Sequence, residues 1–202
     1  MKRLLLLPVV VTAALSLTGC RSESPAISVN GVEISIDDFD AELRQLASNT
    51  FLQTNQPELF VGRCDDDATA DAGSCRVTTT TAASWASNSV LITLFRAEFA
   101  SRGLEITEAE RAEQEATYPE GFLSGFSDEF AARWVENDLM FSKVAASLAP
   151  TDPTVDPVAA LQQELVAAAY VVIDPRYGTW DPTSGVSEAS AVGDLRLRNW
   201  VD

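Results

Sequence analysis

The chain has no histidine, and this absence excludes several classes of active site. Ser-His-Asp and Cys-His mechanisms need an imidazole base, and histidine-based zinc and iron sites need imidazole ligands. Lysine is almost as scarce, because Lys143 is the only one beyond the first twenty residues and its neighbour Ser142 lacks the spacing of a Ser-Lys pair. We therefore expect no enzymatic activity. Paired carboxylates, as in a cell-wall hydrolase, stay open as an alternative because the 30 acidic residues show no distinctive spacing.

Nucleotide-binding fingerprints are also missing, since the chain has neither a glycine-rich phosphate loop nor a dinucleotide motif. The segment GFLSG at residues 121–125 is not a nucleophile elbow, because two residues rather than one separate its first glycine from the serine. The sequence therefore predicts no cofactor.

Basic residues are few, with 14 Lys and Arg against 30 Asp and Glu and a net charge of −16. Such a surface repels nucleic acid and anionic lipid, so we expect no nucleic-acid partner. The same charge would keep a protein soluble while it exposes apolar surface, although a solvated acidic exterior explains it equally well.

The one long apolar run occupies residues 4–17, after a short basic head, and ends in the tetrapeptide LTGC at 17–20. This tetrapeptide resembles a bacterial lipobox, in which the cysteine accepts a lipid before the leader is cleaved. We predict a signal peptide at 1–19, lipidation of Cys20, a tether at 20–25 and attachment to the extracytoplasmic face of the cell membrane. An ordinary secretory signal is the alternative. Loss of the leader would make the chain two charges more negative, since Lys2 and Arg3 leave with it.

The remaining cysteines, Cys64 and Cys75, favour one disulfide in an oxidising compartment. The loop between them carries four aspartates, which raises the question of calcium. It lacks the glycine at position 6 of an EF-hand, and position 12 would be Arg76. We therefore expect a solvated loop and no metal site.

The apolar periodicity predicts one mainly α domain at residues 26–180, with about five helices and a small β-sheet. Asn30-Gly31 between short β-prone runs is typical of a type I′ hairpin, and 171–173 predicts a C-terminal strand that pairs with it. We assign residues 181–202 to a loosely ordered tail. The predicted helices run from Ile36 to before Pro57, over 81–102, from Thr107 to near Pro119, over 127–148, and in a last segment that begins at Asp156.

Two segments, AISVNGVEISIDDFDAELRQL at 26–46 and RGLEITEAE at 102–110, resemble the N-terminal chaperone module of SurA and PrsA-type foldases. There too a Val-Asn-Gly hairpin leads through a Ser/Thr cap into an amphipathic helix, and the likeness extends over residues 26–180. Many family members insert a parvulin prolyl isomerase domain of about a hundred residues before the last helix. The corresponding interval here is only residues 149–156, and the chain lacks the histidines of that active site.

The resemblance implies a chaperone-like lipoprotein that holds unfolded segments of exported proteins and has no isomerase activity. A structural or adaptor lipoprotein that binds one defined partner in the cell envelope is the alternative. The expected groove for client segments lies among six aromatic residues, namely Trp85, Phe95, Phe99, Phe122, Phe126 and Trp134.

The segment DPRYGTW at 174–180 follows the predicted C-terminal strand. We interpret it as a structural clasp that joins the two ends of the domain, with a binding site as the alternative. Arg176 is expected to pair with Asp37, Asp38 or Asp40, while Tyr177 or Trp180 covers the seam. The clasp comprises Asn30, Gly31, Pro175, Arg176, Tyr177, Gly178 and Trp180.

Overall fold

The fold is mainly α with a small antiparallel sheet, as the sequence predicts. A computed structural model describes residues 24–62, 64, 75–148, 156–183 and 186–188, the last three by their backbone alone. The leader, Cys20 and the aspartates of the loop after Cys64 lie outside the described residues. Within the described ranges, none of the helices has the length and apolar character that crossing a bilayer requires.

The principal sheet joins the two ends of the domain, as predicted. Strands β1 (Ile27–Val29), β2 (Val32–Ile34) and β5 (Val171–Ile173) pair antiparallel in the order β2-β1-β5. The turn between β1 and β2 has φ of 51° at Asn30 and 84° at Gly31, as a type I′ turn requires. The Asn30 side chain also accepts a hydrogen bond from the backbone N–H of Tyr170 at 2.8 Å. The turn thus contacts the C-terminal segment directly.

Six α-helices surround this sheet in the part of the chain that the structure describes. Most begin where a Ser, Thr, Asp or Asn side chain caps the first free backbone N–H groups. Thr107 and Glu110 form the predicted capping box. The helices are α1 (Ile36–Ser48), α2 (Thr50–Asn55), α3 (Thr79–Ser101), α4 (Glu108–Glu115), α5 (Asp128–Ser147) and α6 (Pro157–Ala168). Short 3₁₀ turns occupy Pro57–Leu59 and Leu123–Gly125.

The predicted helix from Ile36 to before Pro57 is in fact two helices that meet at the buried Asn49. Its Oδ1 accepts a hydrogen bond from the N–H of Leu52 at 3.0 Å, and its Nδ2 donates to the carbonyl of Phe122 at 2.9 Å. Gly125 lies so close that a Cβ there would sit 2.6 Å from the Asn49 side chain. The helix breaks because this distant segment supplies a partner for Asn49, which a local pattern does not reveal.

Four short strands were not predicted. β3 (Phe60–Val61) and β4 (Arg76–Val77) pair next to a disulfide between Cys64 and Cys75, whose Cα atoms are 4.6 Å apart. β6 (Thr179–Asp181) pairs with β7 (Val186–Glu188), which lies beside α3. Residues 181 and 186–188, assigned above to a loosely ordered tail, therefore form strand pairs.

The core has two hydrophobic clusters. The larger one joins the sheet, α1, α3 and the start of α5, and the smaller one lies between α3, α5 and α6. α3 contributes to both clusters, with Val90 in the larger and Phe95 in the smaller. α3 is therefore the central helix, and the elements packed around it determine which of its side chains remain at the surface.

Candidate functional site

A groove of about 530 Å³ runs between strand β2, the first turns of α1, and helices α3 and α5. We call it the edge groove, because β2 is an edge strand of the principal sheet. Its apolar lining consists of Val32, Ile34, Trp85, Ile92, Phe130 and Trp134, and its polar rim of Glu33, Asp38, Glu42, Arg96, Arg133 and Asn137.

Two stacked tryptophans form part of the floor of the edge groove. The rings of Trp85 on α3 and Trp134 on α5 lie 5.6 Å apart and are inclined by 16°. Both side chains are half-buried. Behind them, Phe126 stacks on Trp134 at 5.5 Å, and Phe122 meets the same ring edge-on at 5.3 Å. The aromatic rings of the main core thus hold the two tryptophans in place, so their outer surfaces are available without rearrangement.

The carboxylate of Glu42 joins the floor of the groove to its rim. Trp85 Nε1 donates a hydrogen bond to Glu42 at 2.9 Å, and Arg133 forms an ion pair with Glu42 at 3.4 Å. Burial raises the pKa of Glu42 above its ordinary value, while the Trp85 hydrogen bond and the charge of Arg133 act to lower it. Arg133 also lies over the ring of Phe130, 5.3 Å from its centroid. Glu42 therefore orients both a floor residue and a rim residue.

A smaller cavity of about 240 Å³ lies on the other side of this ion pair. It shares Asp38, Glu42, Phe130 and Arg133 with the edge groove and reaches Gln45 and Ser127. The Glu42–Arg133 pair thus stands between two cavities along the junction of α1 and α5.

The structure separates the six predicted groove aromatics into two groups. Only Trp85 and Trp134 line the edge groove. Phe95, Phe122 and Phe126 are buried core residues, and Phe99 packs half-buried in the smaller cluster. This corrects the placement of those four side chains. The apolar stripe of α3 and the segment between α4 and α5 show which residues are apolar, but not which of them another element covers.

The remaining groove residues were not singled out from the sequence. Val32 and Ile34 read as ordinary strand residues, and Glu42 as one of many acids on the outer face of α1. Arg96 and Arg133 are separated by 37 positions in the numbering, and both line the edge groove because α3 and α5 pack together. No local signal could have found these two, since their place in one groove depends on helix packing.

The segment 174–180 packs against the first helix. The side chain of Tyr177 is 1% exposed and lies edge-on to Phe39, with ring centroids 4.6 Å apart. Its hydroxyl donates a hydrogen bond of 2.6 Å to Asp40, itself 2% exposed. Burial raises the pKa of Asp40, and the hydrogen bond from Tyr177 opposes that rise. A buried polar contact therefore connects α1 to the segment after β5.

The prediction that Arg176 pairs with Asp37, Asp38 or Asp40 is wrong. It forms a bidentate pair with Asp174, with Nε to Oδ1 at 3.0 Å and Nη2 to Oδ2 at 3.1 Å. Arg176 pairs with Asp174 rather than with an aspartate of α1 because it follows Asp174 by two residues in the same turn. The other members of the predicted clasp lie around this turn: Pro175 is exposed, Gly178 has φ of 137°, and Trp180 packs half-buried on the main core.

Metal-binding side chains are dispersed in the part of the chain that the structure describes. No group of three or more His, Cys, Asp or Glu side chains there could hold an ion. The aspartates between Cys64 and Cys75 fall outside that part.

Comparisons with known proteins bring no relative to this chain. A scan against protein-family models, a search of curated proteins and a search of solved structures each returned no match.

Proposed function

We propose that the protein is a lipid-anchored holding chaperone on the extracytoplasmic face of the cell membrane, without prolyl isomerase activity. Its clients are unfolded or partly folded exported proteins, whose extended apolar segments occupy the edge groove. The membrane is contacted through the lipid on Cys20 alone, and nucleic acid is not a partner. The observation that carries this proposal is the edge groove itself.

The shape of the groove suits a polypeptide segment. Its volume of about 530 Å³ lies within the range of ligand clefts, about 300–1,000 Å³. It is partly open to solvent and is bordered by β2, which has no neighbour beyond it among the described strands. Apolar side chains of a client would lie on Trp85, Ile92 and Trp134, while its backbone stays near the strand edge. Burial of those side chains would supply most of the affinity.

The composition supports a role in holding rather than in catalysis. The chain has no histidine, and its net charge of −16 resists self-association while apolar surface is exposed. The predicted leader and lipidated Cys20 place the groove outside the cytoplasm, where exported proteins are still unfolded.

Aggregation of an unfolded client provides the direct test. An exported protein unfolded in urea is diluted into buffer with the mature chain at a one-to-one ratio, and light scattering is recorded. We expect suppression by the wild type and weaker suppression by Val32→Gln, which removes apolar surface from the groove. Val61→Gln is the matched control, because Val61 is 57% exposed on β3 and Val32 is 58% exposed on β2.

Scattering that is unchanged by the wild-type protein would refute the proposal. If Val32→Gln and Val61→Gln suppress aggregation equally, the edge groove is not the site that binds the client. Crosslinking in cells separates the chaperone from an adaptor, since an adaptor would yield one stoichiometric envelope partner and a holding chaperone many clients.

A further inference from the structure

Strand β2 has a free edge beside an apolar groove. In the described part of the sheet β2 pairs only with β1, and all three of its residues line the groove. An exposed strand edge offers unpaired N–H and C=O groups and is a recurring site for an added strand.

The register shows which residue of β2 offers its backbone. On either side of β1, the carbonyl of Ala26 accepts from the N–H of Asp174 and the N–H of Asn30 donates to the carbonyl of Tyr170, while the N–H of Ala26 donates to Ile34. Within β1, Ser28 lies opposite Val172 in the same alternation, so its N–H and C=O point toward β5. Glu33 stands opposite Ser28 on the other side of β1. Because the two sides alternate along an antiparallel strand, the N–H and C=O of Glu33 point away from β1, toward the free edge.

Side chains alternate in the same way. Val32 and Ile34 share the inner face of the sheet with Ile27 and line the edge groove, whereas Glu33 projects from the outer face. In a strand added antiparallel to β2, the residue opposite Glu33 would lie on that outer face, with Cβ atoms about 4.5–5.5 Å apart. The residues on either side of it would turn inward, over the groove floor.

The charges around the edge favour a basic residue opposite Glu33. Glu33 is exposed and makes no ion pair among the described residues, whereas Arg133 pairs with Glu42 and Arg96 is hydrogen-bonded to Asn137. A lysine or arginine would gain a cross-strand partner, while an acid would face a like charge. The net charge of −16 acts in the same direction over a longer range.

We infer that β2 binds its client by strand addition, and that the preferred client segment alternates apolar and basic residues. The inference rests on the proposed function and names the chemistry of the segment that the edge groove takes up. Apolar residues enter the groove, basic residues lie opposite Glu33, and the backbone pairs antiparallel at that residue. Glu33 is the only residue of β2 whose backbone N–H and C=O both point to the free edge. Contacts of the client's inward side chains therefore contribute most of the affinity.

Three blocked heptapeptides test the pattern by calorimetry with the mature protein. One alternates valine with lysine, one alternates valine with glutamate, and one groups the same valines and lysines in two blocks. We expect the alternating lysine peptide to bind at least about tenfold more tightly than either control. Glu33→Gln should weaken it by about twofold to fivefold and flatten its salt dependence.

Backbone pairing is tested on the peptide, so that the fold is left untouched. N-methylation of the lysine amides removes the N–H that would donate to Glu33, whereas N-methylation of the valine amides alters groups that point away. We expect the first peptide to lose binding by about tenfold or more and the second to keep it. Glu33→Pro should weaken binding more than Glu33→Gln does, since it removes the outward N–H as well as the charge.

The outcomes are distinguishable. Equal binding of the two N-methylated peptides would overturn strand addition, and equal binding of the lysine and glutamate peptides would overturn the basic preference. If the wild type suppresses client aggregation in either case, the proposed function stands without this inference. If it neither suppresses aggregation nor binds any peptide, both fail. A dimer in sedimentation that Glu33→Pro abolishes, without peptide binding, would assign the edge to a second copy and overturn the inference.

Discussion

Replacing Tyr177 with phenylalanine should destabilise the fold, and more strongly at neutral than at acidic pH. The change removes one oxygen and keeps the ring that packs on Phe39 at 4.6 Å. Asp40 then loses the donor that bonds it at 2.6 Å. Because the Asp40 side chain is only 2% exposed, water has little access to replace that donor. The Asp40 carboxylate is then left buried without this donor. Leaving one partner of a buried hydrogen bond unsatisfied costs more free energy than removing both partners.

The expected loss is about 1.5–3 kcal/mol at pH 7, the usual range for a hydrogen bond to a charged group. No cavity contribution is added, since phenylalanine fills the space of the tyrosine ring. In a domain of this size the loss corresponds to a drop in melting temperature of about 3–12 °C.

The pH dependence follows from the pKa of Asp40. Burial raises this pKa in the folded state, and the Tyr177 hydroxyl holds it down. Without the hydroxyl the folded-state pKa rises further above the unfolded value. Between those two values the folded variant binds more protons than the unfolded chain, so its stability increases as pH falls through this interval. The loss in free energy of unfolding relative to the wild type should therefore be complete above the raised pKa of Asp40 in the variant, and it should shrink as pH falls below that pKa.

Urea unfolding followed by circular dichroism, with the disulfide intact, measures this effect. Tyr170→Phe is the control, because Tyr170 is 72% exposed and should change nothing measurable. In an Asp40→Asn background, where no charge is left behind, Tyr177→Phe should cost about 1 kcal/mol or less. A loss below about 0.5 kcal/mol at pH 7, or the same loss in both backgrounds, would refute the reasoning.

Three further predictions concern single side chains. Arg176→Ala should lower the melting temperature less than Tyr177→Phe does, because its pair with Asp174 is partly exposed and local; a larger drop in thermal unfolding would contradict this. Glu110 pairs with Lys143 at 2.6 Å, and this hydrogen bond together with those from Thr107 lowers the pKa of Glu110 to about 2. The stability advantage of the wild type over Glu110→Gln should thus be full above about pH 4.5 and lost as pH falls toward about 2, and a pH-independent difference in urea unfolding would count against it. Cys20→Ala should release the protein from the membrane fraction or leave its leader uncleaved, and unchanged anchorage on fractionation would exclude lipidation of Cys20.

The sequence by itself determined features that depend on neighbours a few residues apart. Asn30-Gly31 formed the expected hairpin because both residues tolerate positive φ. Thr107 with Glu110, and Ser127 before α5, capped helices at the expected places because each cap bonds an N–H within three residues. The pairing of β5 with β1 was also expected, since few other β-prone runs were available to fill that edge.

Only the tertiary structure decided which side chains form the candidate site. Trp85 and Phe95 look alike on the apolar stripe of α3, yet Phe95 is buried and Trp85 lines the edge groove, because the elements packed around α3 determine what is covered. Asn49 ends a helix through a contact with residue 122, and Glu42 meets Trp85 across 43 positions in the sequence. Periodicity records the direction of a side chain around its own helix axis. The groove, however, is defined by distances between elements that the chain brings together only when it folds.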